Sequence, residues 1–171
     1  MPGADGAGIR ADDGSEVLVL PSLWWALMSG PRAREEILGD HRPGTYAEYV
    51  RVPDECVVPK PAGLSWAQAA ALPLVGLTTY RALFTRARLE PGQSLLVLGA
   101  GGDVATMAVI LASAIGASVH VTSSSTAKID AGVGLGAAGG VSYRDADWPA
   151  AARALSPGKA GFDVVLDSVG S

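Results

Sequence analysis

The sequence has 171 residues, of which 49% are hydrophobic and 18% charged, and this composition predicts a soluble globular protein with a hydrophobic core. The net charge of −4 argues against nucleic acid or an anionic membrane as a partner. One cysteine excludes an internal disulfide, and without a signal-peptide pattern or an apolar stretch long enough to span a bilayer we expect a cytoplasmic location.

The first third of the chain predicts short strands separated by loops. Residues 1–15 are acidic and rich in turn-forming residues, and residues 28–44 are polar with Gly and Pro, which predicts a surface loop. An apolar run predicts a short strand over 17–20. The alternating stretch TYAEYVRV predicts a half-buried strand over 45–52, and residues 55–58 predict another short strand.

The middle of the chain carries helix signals. Ser65 and Gln68 have the spacing of a capping box, in which the hydroxyl and the amide satisfy free N–H groups at a helix start. Pro73 is expected to break this helix early. A second helix is predicted near 76–86, and residues 88–93 predict a turn.

From residue 91 onward, apolar strands alternate with helices. The predicted strands are 94–98, 118–122, 140–143 and 162–167, and the predicted helices are 103–115, 126–135 and 148–155. Strands without polar alternation, separated by helices, imply a parallel sheet that is covered on both faces. The fold class is therefore α/β, and the region resembles part of a Rossmann nucleotide-binding domain.

A glycine-rich loop joins the first of these strands to the first helix. The apolar run SLLVL leads into Gly99, Gly101 and Gly102, and Val104 and Ala105 follow at the helix start. Glycine lets the backbone turn tightly and approach a pyrophosphate, and the helix then points free N–H groups at the anion. This context predicts a dinucleotide-binding loop; the alternative is a plain tight turn between strand and helix.

The end of the next strand suggests which dinucleotide is bound. NAD-preferring sites usually place Asp or Glu there, whereas this chain has Ser123, Ser124 and Ser125, followed by Lys128, and has no carboxylate before Asp130. Hydroxyl groups and an ammonium group suit a 2′-phosphate, which predicts NADP(H) rather than NAD(H). In the alternative interpretation the serines only cap the next helix and the lysine is a solvated surface charge.

Residues 44–171 resemble the medium-chain dehydrogenase/reductase superfamily, in particular its quinone-oxidoreductase-like branch related to zinc alcohol dehydrogenases. The segments that carry this resemblance are GTYAEYVRVP, VPKPAGLSWAQAAALPLVGLTTYRALF, LLVLGAGGDVATMAVILASAIGA, VTSSSTAKI and FDVVLDSVG. The resemblance implies part of a GroES-like catalytic β domain over 1–62, connecting helices over 63–90 and a partial Rossmann NADP-binding domain over 91–171.

The resemblance also implies hydride transfer between NADP(H) and a small-molecule carbonyl, enone or quinone, without naming a catalytic residue. It allows pairing of edge strands into a homo-oligomer. By position it places Gly99, Gly102 and Ala105 in the dinucleotide loop, Ser124 and Lys128 in the 2′-phosphate pocket, Tyr143 at its closing wall and Thr79 near the nicotinamide. An ordinary surface aromatic residue and a helix-packing hydroxyl are the alternatives for Tyr143 and Thr79.

Three departures from the family pattern qualify this interpretation. The chain looks shortened at both ends, so an open apolar sheet edge and marginal stability or self-association are expected. The zinc donors are missing, and no bound zinc is expected: Ala4-Asp5 and Val75 stand where zinc members carry ligands, and Cys56, His41 and His120 are the remaining soft donors, all in different predicted segments.

The third departure is Asp103, which stands in the loop where the family usually has glycine. At ~5 Å and an effective dielectric constant of ~20, a like charge beside a pyrophosphate costs about 3 kcal/mol, which predicts weakened dinucleotide affinity. Alternatives to an active enzyme are therefore a catalytically inactive dinucleotide-binding module and a partial gene product without a function of its own. The substrate stays open; the pair Trp24-Trp25 lines its pocket, packs in a core or forms an interface.

Overall fold

The structure, a computed structural model, describes residues 1–23 and 36–170. The chain divides into two compact units, Met1–Val75 and Gly76–Ser171. The three-part division expected from the sequence stays a prediction. The pair Trp24-Trp25 lies outside the described residues.

The first unit is built from short antiparallel strands. Its strands are β1 (Gly6–Ile9), β2 (Glu16–Val19), β3 (Ser22–Leu23), β4 (Glu36–Ile37) and β5 (Val57–Pro59). In the described part of this unit, β1, β2 and β5 form one sheet in that order, and β3 pairs with β4. The strand predicted over 17–20 is confirmed as β2, whereas β1 and β4 lie in stretches that were predicted to be turns and loop.

The prediction of a strand over 45–52 is wrong. The backbone N–H groups of Thr45 and Tyr46 donate to the carbonyls of Gly3 and Pro2 at 2.9 and 3.0 Å, so the start of the segment is tied to residues 2–3 and not to a strand. Tyr46 and Tyr49 are 82% and 80% exposed. Alternation predicts a strand only where a neighbouring strand supplies the hydrogen bonds, and no described strand pairs with this segment.

The strand predicted over 55–58 begins later than expected. Residues Asp54–Cys56 form a 3₁₀ turn, and the strand follows at Val57–Pro59. The turn is closed by the N–H group of Cys56, which donates to the carbonyl of Pro53 at 2.9 Å.

The capping box is confirmed at the start of helix α1 (Trp66–Ala70). The backbone N–H of Gln68 donates to the Ser65 hydroxyl, and the backbone N–H of Ser65 donates to the Gln68 side chain. Helix α1 ends early, before Pro73, as expected, and Pro73 begins the next helix, α2 (Pro73–Tyr80), where its missing N–H costs nothing. A π-helical stretch, Arg81–Arg86, continues α2 directly.

The second unit is an α/β layer, as predicted. Its strands are β6 (Ser94–Leu98), β7 (Ser118–Ser123), β8 (Gly139–Ser142) and β9 (Val164–Asp167), and its helices are α3 (Asp103–Ala114), α4 (Thr126–Gly134) and α5 (Trp148–Leu155). Within residues 76–170 the strands form one parallel sheet in the order β8-β7-β6-β9. The fold class is confirmed in this parallel sheet and in the antiparallel strands that precede it.

The core of the second unit lies on one face of this sheet. Leu95, Val97 and Val121 of the central strands are fully buried, and the small side chains of α3, such as Ala108 and Ala112, pack against them at close range. The opposite face is less well covered than the sequence predicted, since Val165 of β9 is 55% exposed. The small residues of α3 let the helix lie close to the sheet, with its first turn directly after the glycine loop.

Candidate functional site

The glycine-rich loop leaves β6 at the carboxyl edge of the parallel sheet. The backbone N–H of Ala100 donates to the carbonyl of Thr122 at 2.7 Å, and the N–H of Gly99 donates to the Thr122 hydroxyl at 3.2 Å. Thr122 is buried near the end of β7. The loop is therefore anchored to the neighbouring strand and turns over the edge where ligands of open α/β sheets bind.

The three glycines of the loop meet different surroundings. Gly99 and Gly101 have φ angles of +79° and +94°, which L side chains rarely adopt, and Gly102 has φ −83°. A Cβ atom at Gly99 would meet the Val169 side chain, and one at Gly101 would lie 2.9 Å from Cδ of Lys128. At Gly102 the nearest atom would be the Gly99 carbonyl oxygen at 3.8 Å, so open space lies above this residue.

Helix α3 starts directly behind this open space. Gly102 is its N-cap residue, and no side chain caps the first turn. The N–H groups of the first turn are thus free of side-chain acceptors and carry the positive end of a twelve-residue helix. Asp103 is the first helical residue and is exposed, Val104 is half-buried, and Ala105 is 1% exposed in the core.

The end of β7 lies beside the loop. The Ser123 side chain is buried, its hydroxyl accepts the N–H of Ser125 at 3.3 Å, and its carbonyl accepts the N–H of Tyr143 at 3.1 Å. Ser125 stands at the N-cap of α4, yet its hydroxyl makes no capping hydrogen bond. The capping hydrogen bond expected if the serines only cap the helix is therefore absent at Ser125.

Lys128 connects this strand end to the glycine loop. Its aliphatic chain packs over Gly101, as the 2.9 Å approach to an added Cβ shows, and the side chain is exposed. Among residues 1–23 and 36–170, its ammonium group is in no ion pair. Ser124 is half-buried between Ser123 and the helix. The structure thus brings Gly101, Ser123, Ser124 and Lys128 together at one edge of the sheet.

Tyr143 and Thr79 are less closely tied to this edge. Tyr143 follows β8 and is joined to Ser123 through its backbone, while its side chain is 46% exposed. Thr79 lies in α2 and is fully buried, and its hydroxyl oxygen has no hydrogen-bond partner in the described part of the chain. Buried polar groups normally have partners, so this hydroxyl is an exception among the described residues.

A turn that the sequence interpretation did not single out closes the loop on the other side. After β9, one carboxylate oxygen of Asp167 accepts the backbone N–H groups of Val169 and Gly170 at 2.9 and 3.0 Å. This turn directs the Val169 side chain against Gly99. The signal for it is topological, because β9 is the strand next to β6 on the side away from β7.

The donors that remain for zinc do not fit a zinc ion. Cys56 is buried, with its sulfur 3.7 Å from the Ser22 carbonyl oxygen, and the Asp5 carboxylate accepts the N–H of Leu74 at 2.7 Å. His41 is exposed, whereas His120 is buried in β7 beside Phe162. Within the described ranges, no three His, Cys, Asp or Glu side chains cluster as zinc ligands do.

Burial lowers the pKa of His120, because its surroundings disfavour the charged imidazolium. Its Nδ1 atom has no hydrogen-bond partner in the described residues. Its ring centroid lies 5.5 Å from that of Phe162. These surroundings favour the neutral form of His120.

A groove of about 480 Å³ lies in the first unit along β1 and the segment 45–52, and none of the predicted site residues lines it. None of the helices described is both long and apolar enough to cross a membrane.

Comparison with known proteins places this geometry among oxidoreductases. The sequence model of the zinc-binding dehydrogenase family matches residues 104–171. The 2-methylene-furan-3-one reductase of Solanum lycopersicum is 36% identical over 180 residues, which cover 99% of this chain and 42% of the reductase.

Solved structures of oxidoreductases are also similar to this chain. An NAD-dependent alcohol dehydrogenase superposes with a TM-score of 0.88 at 36% identity, covering 96% of this chain and 52% of that one. The quinone oxidoreductase of Thermus thermophilus, whose structures include a complex with NADPH, superposes with a TM-score of 0.75 at 32% identity, covering 99% and 48%. The chain spans about half the length of the curated relatives and structures it matches.

Proposed function

The chain belongs to the medium-chain dehydrogenase/reductase superfamily, among its zinc-type alcohol dehydrogenase-like and quinone oxidoreductase-like members, and on this premise we propose that it is an NADP(H)-dependent oxidoreductase. We propose hydride transfer to or from a carbonyl, enone or quinone-type small molecule. The reductase of Solanum lycopersicum and the quinone oxidoreductase of Thermus thermophilus support this substrate range by their names.

The observation that carries the proposal is the open space at Gly102 in front of α3. A pyrophosphate there accepts N–H groups of the uncapped first turn and interacts with the positive end of the helix. The added Cβ of any other residue would stand in this space. Gly99 and Gly101 support the same loop differently, because protein side chains already fill the volume beside them.

The preference for NADP(H) rests on the end of β7. A 2′-phosphate beside Ser123 and Ser124 would accept hydrogen bonds from a hydroxyl or backbone N–H and would be neutralised by the Lys128 ammonium group, which is in no ion pair among the described residues. The absence of a carboxylate at this strand end removes the usual partner of an NAD ribose. The NAD-dependent alcohol dehydrogenase among the structural neighbours makes this preference worth a direct test.

The nicotinamide, when bound, supplies or accepts the hydride, and the residues of this chain bind and orient the cofactor. The first turn of α3 holds the pyrophosphate, Lys128 holds the 2′-phosphate, and Tyr143 covers that pocket from the end of β8. We propose that the unpartnered Thr79 hydroxyl completes its hydrogen bonding with the nicotinamide half of the cofactor. No zinc is invoked, because the described donors do not fit it.

The test is NADPH and NADH binding to wild type and to Lys128→Ala, measured by titration calorimetry. Removing a charge-assisted contact of about 1.5–3 kcal/mol weakens NADPH binding about tenfold or more and leaves NADH binding within about twofold. Lys159→Ala, which removes an exposed lysine after α5, is the matched control and binds like wild type. An equal loss for both dinucleotides in the Lys128 variant contradicts the assignment.

A second candidate is a dinucleotide-binding module without catalysis. Asp103 favours it, because it adds a carboxylate to the first turn of α3, next to Gly102. Assays of NADPH oxidation with a quinone and an enone separate the two. Saturable NADPH binding without turnover of either substrate class supports the module.

A further inference from the structure

Thr122 joins the end of β7 to the start of the glycine loop. The register between β6 and β7 ends at the pair Val97 and Val121, one residue before it. Beyond that pair, the backbone N–H of Ala100 donates to the Thr122 carbonyl at 2.7 Å, and the N–H of Gly99 donates to the Thr122 hydroxyl at 3.2 Å. One residue of the neighbouring strand therefore binds the first two residues of the loop.

Only one of these two hydrogen bonds depends on the Thr122 side chain. Any residue at this position offers a carbonyl, whereas the hydroxyl acceptor needs threonine or serine. Thr122 is 2% exposed, so water is poorly placed to replace the hydroxyl as an acceptor. The branched Cβ atom also restricts the rotation of the side chain. The hydroxyl is therefore a fixed acceptor that a substitution can remove without changing the backbone.

The glycine loop needs such a bond from outside. Glycine has the greatest backbone freedom of all residues, and Gly99, Gly101 and Gly102 stand within four positions. Gly99 and Gly101 are held at φ +79° and +94°. The conformation of these residues sets where the first turn of α3 begins, because Gly102 is its N-cap. A loop that is held in place before the ligand arrives loses less conformational entropy on binding.

We propose that Thr122 is a positioning residue whose hydroxyl holds the glycine loop in the conformation that receives the pyrophosphate. It acts through Gly99 and does not contact the cofactor. This inference rests on the proposed function and deepens it. The pyrophosphate is common to NADPH and NADH, so the Thr122 hydroxyl supports the binding of both, whereas Lys128 is assigned to the 2′-phosphate that only NADPH carries.

The test measures the binding of NADPH, NADH and adenosine 2′-monophosphate, which lacks the pyrophosphate, by titration calorimetry. Thr122→Val replaces the hydroxyl by a methyl group and is expected to weaken both dinucleotides about tenfold, with the monophosphate within about twofold of wild type. Thr122→Ser keeps the hydroxyl and restores dinucleotide binding to within about threefold of wild type. Thr85→Val, the same change at an exposed threonine of the π-helical stretch, is the matched control and leaves all three affinities unchanged.

The pattern of losses separates positioning from a general loss of structure. An equal loss of all three ligands in Thr122→Val, or no loss of any, overturns the inference, and so does a serine variant as weak as the valine variant. Wild type that binds none of the three ligands overturns the proposed function itself.

Hydrogen exchange of the Gly99 amide, followed by NMR in the wild type, does not depend on how the valine variant folds. We expect this amide to be protected in the free chain, because its N–H donates to the buried hydroxyl. An unprotected Gly99 amide overturns the inference.

Discussion

At the residue scale, the roles of the three loop glycines differ, and two of them follow from the protein rather than from the ligand. Gly101 gives room to Lys128, and Gly99 gives room to Val169. The sequence predicted that all three serve the approach of a pyrophosphate. It did not show which volumes are already occupied, because Val169 lies far from Gly99 along the chain and reaches it only through the pairing of β9 with β6.

Gly102→Ala is therefore expected to fold like wild type and to bind NADPH more weakly. Its backbone has φ −83° and ψ 160°, which alanine adopts without strain, and the added methyl group stands where the pyrophosphate approaches the α3 N–H groups. We expect NADPH affinity to fall at least about tenfold, with the thermal unfolding midpoint within about 2 °C of wild type. Gly134→Ala, at an uncrowded position at the end of α4, is the control and binds normally.

Substitution of Asp103 is expected to have the opposite effect on NADPH affinity. Its carboxylate is exposed at the start of α3, so water screens part of the ~3 kcal/mol repulsion expected beside a pyrophosphate. Asp103→Gly and Asp103→Asn are both expected to bind NADPH about tenfold more tightly, with a small loss of helix stability from the missing first-turn charge. Dissociation constants that stay at the wild-type value in both variants would show that the side chain does not face the ligand.

His120 makes the stability of the fold pH-dependent. Its folded-state pKa is lowered from the ordinary value of 6.5 by burial, so the unfolded chain takes up a proton that the folded chain resists. The stability is present above about pH 6.5 and is lost as the pH falls, by at most about 1.4 kcal/mol per pH unit.

Denaturant unfolding at pH 7.5 and 5.5 checks this effect. His120→Phe, which keeps an aromatic ring beside Phe162, is expected to lose much less stability between these two values than wild type does. His41→Gln removes the exposed histidine and serves as control, with the wild-type dependence. An unchanged dependence in His120→Phe would assign the effect to another group.

At the scale of the elements, the sequence predicted best where local signals and tertiary contacts agree. The ends of β6, α3 and α5 lie within one residue of the prediction, because a continuous apolar run, a glycine loop and a clear polar break mark them. The segment 45–52 failed for the opposite reason. Its alternation is a local signal, but strand formation needs a partner strand, and none of the described strands pairs with it.

The start of β9 also depends on a contact that sequence patterns do not show. The backbone N–H and the hydroxyl of Ser94 both donate to the Asp163 carboxylate at 2.7 Å, and the N–H of Asp163 donates back to the Ser94 hydroxyl at 3.1 Å. These bonds lower the pKa of Asp163 and join the amino ends of β6 and β9. They fix the start of β9 against the start of β6.

At the scale of the whole molecule, the parallel sheet of the second unit has an incompletely covered side. Val165 on edge strand β9 is 55% exposed, although parallel strands are usually buried on both faces. The expectation of self-association or marginal stability drawn from the sequence stays a prediction. The surface concerned is the exposed side of β9 at Val165.

Sedimentation velocity over a range of concentrations tests it. We expect wild type to self-associate as its concentration rises, and Val165→Lys to shift the distribution toward monomer, because a charge on this surface disfavours its burial. Val133→Lys, at a similarly exposed valine of α4, is the matched control and associates like wild type. A wild-type chain that stays monomeric and unfolds in one sharp, reversible transition would contradict the expectation.

All of the binding proposals depend on a working dinucleotide site that prefers NADP(H). Titration of the purified wild-type chain with NADPH and with NADH, followed by calorimetry, measures this preference without any variant. We expect saturable NADPH binding in the micromolar range, with NADH at least about tenfold weaker. Binding of neither dinucleotide, or NADH binding as tight as NADPH binding, would show that the site is absent or that its preference is wrongly assigned.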